Sequence, residues 1–231
     1  MTIAAGNETL HRIRAALATG ALPDATPAHP GPFQGYAAAP PPGDERLVAQ
    51  FGQQLEALVG RMHRTSNPAD AARVVSEIVS RNRARQVLSW DEEWLDCPGL
   101  HAMLEHAGVR ILRLDLSDDG PGREAQLAEA EQVSVGITGA QAAIADTGTI
   151  VLATGAGRSR LASLLPPVHV ALVPGRRIYP TLPSFLAANP GVVLEASNVV
   201  FVTGPSRTAD IEMTLTHGVH GPREVHAIVM P

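Results

Sequence analysis

Apolar residues recur at helical spacing in some segments of the first half and in short runs in others, and the two kinds of segment alternate. The segment "DERLVAQFGQQLEALVG" puts four apolar side chains on one helical face: Leu47, Phe51, Leu55 and Leu58. A second helix is predicted in "NPADAARVVSEIVSRN", where Pro68 suits the first helical position. The runs "RQVLSW" and "VRILRLDL" predict strands on either side of a helix in "GLHAMLEHAG". This alternation predicts an α/β fold, a mostly parallel sheet with helices on both faces.

The second half has shorter elements. Val133, Val135 and Ile137 alternate with small residues and predict a strand, followed by a brief alanine-rich turn of helix. A strand pair is expected around Asp146-Thr147-Gly148. Further on, we expect strands in "VHVALV", "NVVFVT" and "EVHAIVM", and helices in "TLPSFLAANPG" and "RTADIEMTLTHG".

The N-terminal segment differs from the rest. Residues 8–18 have the spacing of a short amphipathic helix, and residues 21–43 contain seven prolines with almost no apolar periodicity. The expected organisation is an N-terminal helix and proline-rich arm over 1–43, followed by one domain over 44–231.

Charge and composition exclude several classes of function. The net charge is -5 and aromatic residues make up 3% of the chain, which argues against a nucleic-acid surface. All 18 basic residues are arginines, so no lysine can form a Schiff base or serve a P-loop. No stretch reaches the roughly 20 apolar residues that span a bilayer, and we therefore expect a cytoplasmic protein.

The cofactor expectations follow from two further features. Cys97 is the one cysteine, too few to hold an iron-sulfur cluster, so any cluster should sit on a partner. The segment "GAGRSR" at 155–160 lacks the spacing of a dinucleotide-binding loop. We expect no cofactor in this chain.

Two motifs favour structural explanations. "IADTGTI" resembles an aspartic-protease loop, but that chemistry needs two carboxylates and an all-β setting, so a tight turn with Gly148 at positive φ is preferred. His217 and His220 in "HGVHGP" are spaced three apart, as metal ligands can be, but glycines and a proline disfavour a continuous helix here and no third ligand is evident. No metal site is predicted.

The stretch "TGPSRTADIE" leaves two interpretations open. Thr208 would cap a helix whose dipole Asp210 complements, with Arg207 as a local ion-pair partner. Alternatively, the amides after Gly204 would form an anion cradle with Ser206, Arg207 and Thr208.

The runs "GITGAQAAIADTGTIVL", "SRLASLLPPVHVALV", "TGPSRTADIE" and "HGVHGP" occur in an order that resembles the lactate-utilisation protein C family, whose shared module is the LUD domain. The resemblance covers about residues 45–231. It implies a fold similar to the ribose-5-phosphate isomerase and CoA transferase group.

The resemblance also implies a function. This chain would be the cluster-free subunit of a system that oxidises L-lactate to pyruvate, with iron-sulfur subunits as partners. A non-catalytic assembly or small-carboxylate-binding subunit is the alternative. A stand-alone transferase or isomerase of the same fold group is disfavoured, because this chain lacks the lysine that such isomerases commonly use and no motif matches the glutamate of the transferases.

The site is expected in two loops that both follow apolar strands, because such loops can open at one sheet edge. The predicted lining residues are Thr138, Gln141, Asp146, Thr147, Gly148 and the segment Gly204, Ser206, Arg207, Thr208 and Asp210. Arg158, Arg160 or Arg207 would bind a carboxylate or phosphate, since a guanidinium binds such anions bidentately. Arg207 is the preferred contact.

Overall fold

The structure is a computed structural model that describes Ala15 and residues 42–114, 120–209, 215–217 and 220–231. The chain divides into two units, Met1–Ala39 and Pro40–Pro231. The expected N-terminal helix, apart from Ala15, and nearly all of the arm lie outside the described residues. The second unit is described below.

The first half of this unit alternates helices and strands as predicted. Its elements are α1 (Glu45–Ala57), β1 (Arg61–Arg64), α2 (Pro68–Arg81), β2 (Gln86–Ser89), a 3-10 turn (Glu92–Trp94), α3 (Leu100–His106), β3 (Arg110–Leu112) and α4 (Gly120–Ala130). Asp44 caps α1 and Asn67 caps α2, each by accepting a backbone N–H.

The second half is richer in strands. It contains β4 (Val135–Gly139), β5 (Ala142–Ile144), β6 (Thr149–Thr154), a 3-10 turn (Arg160–Ser163), β7 (Val168–Pro174), a 3-10 turn (Gly175–Arg177), β8 (Ile178–Tyr179), α5 (Leu182–Ala188), α6 (Val192–Glu195), β9 (Asn198–Val202), β10 (Arg207–Ala209), β11 (Leu215–His217) and β12 (Glu224–Met230). No helix among the described ranges is long and apolar enough to cross a bilayer.

Six strands form a central sheet in the order β1-β12-β7-β4-β2-β3, and every pair in it is parallel. Strand β7 is buried over its whole length, as expected of a parallel strand covered on both faces. A second sheet, in the order β8-β5-β6-β9, is mixed: β6 runs antiparallel to both neighbours, while β5 and β8 are parallel.

Helices α1 and α2 cover opposite faces of the central sheet. Met62 lies against Gly52 of α1, whereas His63 stacks on His226, whose ring is 3.5 Å from Arg81 of α2. Since successive side chains of a strand point to opposite faces, the two helices lie on either side of the sheet. The predicted α/β class is confirmed.

Two predicted helices are wrong. The alanine-rich segment is β5, which pairs with β6 and β8 and is fully buried, so ladder pairing overrides the helical preference of alanine. In "RTADIEMTLTHG", Arg207–Ala209 pairs antiparallel with Leu215–His217, and the intervening residues lie outside the described range. Strand β1 and helix α4 were not predicted, because their apolar patterns are too weak to detect.

Three histidines are packed inside or beside the central sheet. His169 is fully buried and its Nε2 lies 2.9 Å from the Thr138 hydroxyl, while burial lowers its pKa to about 3. His226 lies with its Nδ1 2.9 Å from Nε2 of His63, and burial, followed by the charge of a protonated His63, lowers its pKa to about 4. The pKa of the half-buried His63 is also lowered, first by burial and then by Arg81 and Arg61. The fold therefore holds these imidazoles in their neutral form.

This arrangement predicts loss of stability in mild acid. The unfolded chain binds protons as pH falls below about 6.5, whereas the folded chain binds them only at the lower pKa values above. The free energy of unfolding should fall by on the order of 1 kcal/mol per pH unit for each of His169 and His226, from about pH 6.5 down to about 4. Thermal melts across that range measure the slope.

Two variants identify the origin of the slope. His63→Gln should flatten it, because it removes one half-buried imidazole and one neighbour of His226. His106→Gln, which changes an exposed histidine, should keep it. An equal slope in both variants would rule out a contribution from the His63–His226 pair.

Candidate functional site

The carboxyl ends of the central strands contain a topological switch point between β2 and β4. From β2 the chain continues to its neighbour β3, at the edge of the sheet. From β4 the next strand of this sheet is β7, which lies on the opposite side, towards the centre. Open α/β sheets bind ligands in the crevice outside such a point. The residues that follow these two strands, Trp90 onward and Ala140 onward, are therefore the first place to look for a site.

The turn that follows β6, on the way from the second sheet to the central sheet, is hydrogen-bonded to the end of β2. In this turn, residues 155–159, Gly155 and Arg158 exchange two backbone hydrogen bonds. The Trp90 indole Nε1 donates to the Ser159 carbonyl at 2.9 Å, and the Asp91 N–H donates to the Gly157 carbonyl at 2.8 Å. These two bonds hold the turn over the switch point.

Two glycines allow the close packing of this corner. A Cβ on Gly139, the last residue of β4, would lie 1.9 Å from the Trp94 carbonyl oxygen. Gly157 has a φ of 67°, and its Cβ would lie 2.5 Å from Oδ2 of Asp91. A larger residue at either position would displace the 3-10 turn or the loop from the sheet edge.

Arg158 is the cation that this packing brings to the switch point. Its guanidinium carbon lies 4.1 Å from the centroid of the Trp94 ring, a cation–π distance. Its Nε is buried and has no hydrogen-bond acceptor among the described residues, nor does its guanidinium form an ion pair with any of them. A buried guanidinium N–H without an acceptor is energetically costly, so this atom favours an anionic ligand.

Two adjoining cavities open beside Arg158. One has a volume of about 260 Å³, and the second has a volume of about 210 Å³. Both are lined by Trp94, Gln141, Ala153 and Arg158. Together they make one cleft with an aromatic ring, an amide and a cation in its common wall.

Arg177 adds a second cation to the larger cavity, but this cation is already paired. Its Nη1 lies 2.9 Å from Oδ2 of Asp96 and 3.4 Å from the Ala140 carbonyl. The other Asp96 oxygen accepts from Arg176 at 3.2 Å. Arg158 is thus the lining cation of this cleft that forms no ion pair with a described residue, although Glu93 and Glu195 also line the two cavities.

A separate cavity of about 270 Å³ lies at the same sheet edge, beside the 155–159 turn. Ser89 and Arg113 line it, and the Ser89 hydroxyl is 2.9 Å from Nε2 of the buried His101. The same hydroxyl donates to the Trp90 carbonyl at 2.8 Å. This pairing anchors the end of β2 to α3.

The structure divides the predicted site residues between two places. Gln141 and Arg158 line the cleft at the carboxyl edge. Arg160 is exposed in the following 3-10 turn and does not line that cleft. Thr138 is fully buried within β4, where it contacts His169.

The remaining described candidates lie at the opposite end, beside the last turn of α1. Gly148 packs on the backbone of Leu55, and Gly204 packs on Leu58. Since α1 ends just before β1 begins, this is the amino end of the central sheet. The exposed Thr147 joins this group through a chain of hydroxyl contacts at 2.8 Å to Thr149 and on to Thr203.

The neighbouring residues have backbone roles. The Asp146 N–H donates to the Pro180 carbonyl at 3.1 Å, and its side chain is exposed. The Ser206 N–H donates to the Pro222 carbonyl at 2.8 Å. The structure therefore brings together four predicted residues at the amino end of the sheet, namely Thr147, Gly148, Gly204 and Arg207. Gln141 lies at the carboxyl edge instead.

The structure gives Arg207 a contact that neither interpretation includes. Its guanidinium donates to the carbonyl of Leu58, the residue that caps the C-terminus of α1. The negative end of a helix dipole attracts a cation, which explains the contact. Thr208 belongs to strand β10, where the sequence predicts the start of a helix, and Asp210 lies outside the described residues.

Sequence reasoning missed Trp94, Asp96 and Arg177. They come from the segments that follow β2 and β7, and their convergence depends on which strands are neighbours. The rule that ligand residues follow parallel strands would have pointed to them, had the sheet order been known.

The described residues contain no grouping of three or more histidine, cysteine or acidic side chains suited to a metal ion. Cys97 is buried, and burial raises the pKa of its thiol to about 11. The thiolate that would bind a metal or react as a nucleophile is therefore disfavoured.

Comparison with known proteins gives matches over most of the chain. Lactate utilization protein C of Halalkalibacterium halodurans is 34% identical over 161 residues, covering 68% of this chain and 67% of that protein. The protein of the same name from Geobacillus sp. is 31% identical over 207 residues, covering 86% and 81%.

The fold also has a solved counterpart. A DUF162 family protein from Deinococcus radiodurans matches with a TM-score of 0.60 and 22% identity, covering 80% of this chain and 97% of that one. At this identity the likeness concerns the fold alone. The LUD domain matches residues 48–230, nearly the whole compact unit, and the chain therefore belongs to the LUD domain family.

Proposed function

We propose that this chain is the cluster-free, carboxylate-binding component of a system that oxidises L-lactate to pyruvate, with Arg158 as the main carboxylate contact. The observation that carries the proposal is that Arg158 lines a cleft at the switch point while its buried Nε has no acceptor among the described residues. A carboxylate would supply the missing acceptor and neutralise the guanidinium.

The local geometry favours Arg158 over the other candidate arginines. The guanidinium of Arg207 already donates to a helix-capping carbonyl, and Arg160 is exposed outside the cleft. Trp94 limits the movement of Arg158 by stacking, so less conformational entropy is lost when an anion binds.

The cleft also suits a small hydroxy acid. Lactate occupies roughly three or four times the ~30 Å³ share of a water molecule, and a cavity of about 260 Å³ admits it with water to spare. Gln141 offers an amide donor and acceptor in the same wall, where a hydroxyl or keto oxygen needs a partner.

The choice of lactate rests on the relatives, which are named lactate utilization protein C. Electrons removed from lactate need an acceptor, and the family resemblance implies iron-sulfur subunits in that role. The residues of this chain do not fit a cluster, because Cys97 is its one cysteine and is buried. We therefore assign substrate binding to this chain and the redox centres to its partners.

Arg158→Ala should weaken binding of lactate and of pyruvate by about tenfold or more, because a charge-assisted hydrogen bond contributes about 1.5–3 kcal/mol. Arg160→Ala is the matched control, two residues away and outside the cleft, and should bind like the unsubstituted protein. Calorimetric titration with each acid measures both. Equal affinities of the two variants would contradict the role of Arg158.

Arg207→Ala should give the opposite pattern. Loss of the contact with the Leu58 carbonyl should reduce the free energy of unfolding by about 1 kcal/mol, while affinity for lactate stays unchanged. Thermal melts beside the same titrations distinguish the two effects. If Arg207→Ala weakens lactate binding and leaves the melting temperature unchanged, the anion site lies at the amino end of the sheet and not at Arg158.

Because substrate binding is assigned to this chain and the redox centres to its partners, the purified chain alone should not oxidise lactate. Activity with an artificial electron acceptor should appear only when cluster-bearing subunits copurify with a tagged chain from its natural host. Iron analysis and absorption spectra of the purified complex identify the clusters. Lactate turnover by the isolated chain, free of partners and flavin, would contradict the proposed division.

A further inference from the structure

Asp96 occupies an unusual position beside the carboxylate cleft. It follows the fully buried Leu95 and precedes the fully buried Cys97, which anchor it on both sides. Its φ is 52°, in the left-handed region that few residues other than glycine adopt, although aspartate is among those that do so more often. The backbone thus projects one carboxylate from between two core residues.

Each oxygen of this carboxylate binds a different arginine. Oδ2 accepts from Arg177 at 2.9 Å and Oδ1 accepts from Arg176 at 3.2 Å. Arg177 and Asp96 both line the larger cavity of the cleft. Arg177 therefore attracts an anionic ligand only weakly, because the Asp96 carboxylate in contact with it cancels most of its positive charge.

The charges around the larger cavity sum to zero before a ligand binds. Arg158 and Arg177 are its cations, and Glu93 and Asp96 are its carboxylates. Arg158 alone among these cations has no ion pair with a described residue. One carboxylate on a ligand can pair with it, whereas a second would meet Glu93 or Asp96 without a free cation.

From this charge balance we infer that Asp96 is a specificity-determining residue of the carboxylate site proposed above: by neutralising Arg177, it restricts the site to ligands with one negative charge. Repulsion of a second charge discriminates against dianions that would otherwise fit the volume. Lactate and pyruvate carry one charge, and dicarboxylates of similar length carry two.

The experiment compares L-lactate with L-malate, which has the same hydroxy-acid end and one additional carboxylate. The unsubstituted protein should bind lactate more tightly than malate. Asp96→Asn keeps the shape and one acceptor oxygen but removes the charge, so Arg177 becomes available. The variant should gain affinity for both acids, because one negative charge is removed, but its affinity for malate should rise on the order of tenfold more than its affinity for lactate.

Two further variants serve as controls. Asp96→Glu restores the charge and should restore discrimination against malate. Asp91→Asn removes a carboxylate from the neighbouring cavity, at the same sheet edge, and should keep the selectivity of the unsubstituted protein. Thermal melts of all variants show whether a change in selectivity accompanies loss of folding.

The outcomes separate this inference from the proposed function. If Asp96→Asn binds lactate but still discriminates against malate, the specificity role is rejected and the carboxylate site stands. If it weakens both acids equally and lowers the melting temperature, Asp96 is structural and the specificity role is again rejected. If the unsubstituted protein binds neither acid, the proposed carboxylate site is rejected, and the specificity role with it.

Discussion

The docking of residues 155–159 onto the end of β2 determines where the chemistry of this protein can occur. One indole hydrogen bond and one backbone hydrogen bond make this contact. Gly157 and Gly139 allow it sterically. Without it, Arg158 would be one more exposed arginine on a loop. With it, a guanidinium is stacked on Trp94 directly outside the switch point of the sheet.

Electrostatics then distinguish Arg158 from the other arginines of this domain discussed above. Arg176 and Arg177 share the carboxylate of Asp96, and Arg207 compensates the carbonyl end of α1. Each of these guanidinium groups has a protein partner that explains its position. Arg158 stacks on an aromatic ring but has no carboxylate partner among the described residues, so its desolvation is compensated only in part. Asp96 therefore pairs with Arg176 and Arg177, and Arg158 is the cation of the cleft that remains available to a ligand.

The sequence allowed much of the fold to be predicted, because helices α1 and α2 have strong 3.6-residue periodicity and clear caps. The errors have a common cause. In Ala142–Ile144, small apolar residues form a strand because two neighbouring strands pair with them, and no local pattern reveals that pairing. After Pro205 the sequence predicts a helix, but Arg207–Ala209 is a strand because it pairs antiparallel with the next strand, Leu215–His217.

The site was less predictable than the fold. The sequence indicates both Arg158 and Gln141 as candidates, but it groups Gln141 with loops that lie at the other end of the sheet. Their actual neighbours, Trp94 and Asp96, become adjacent only because β2 lies beside β4. Strand order depends on the packing of the whole domain, which short motifs do not encode.

The central claim is that a carboxylate binds at the carboxyl edge of the central sheet, against Arg158. The most direct test is a crystal structure of the protein grown with L-lactate or pyruvate. We predict carboxylate density within hydrogen-bonding distance of the Arg158 Nε, with Trp94 still stacked on the guanidinium. Ligand density instead beside Thr147 and Arg207, at the amino end of the sheet, would contradict this account.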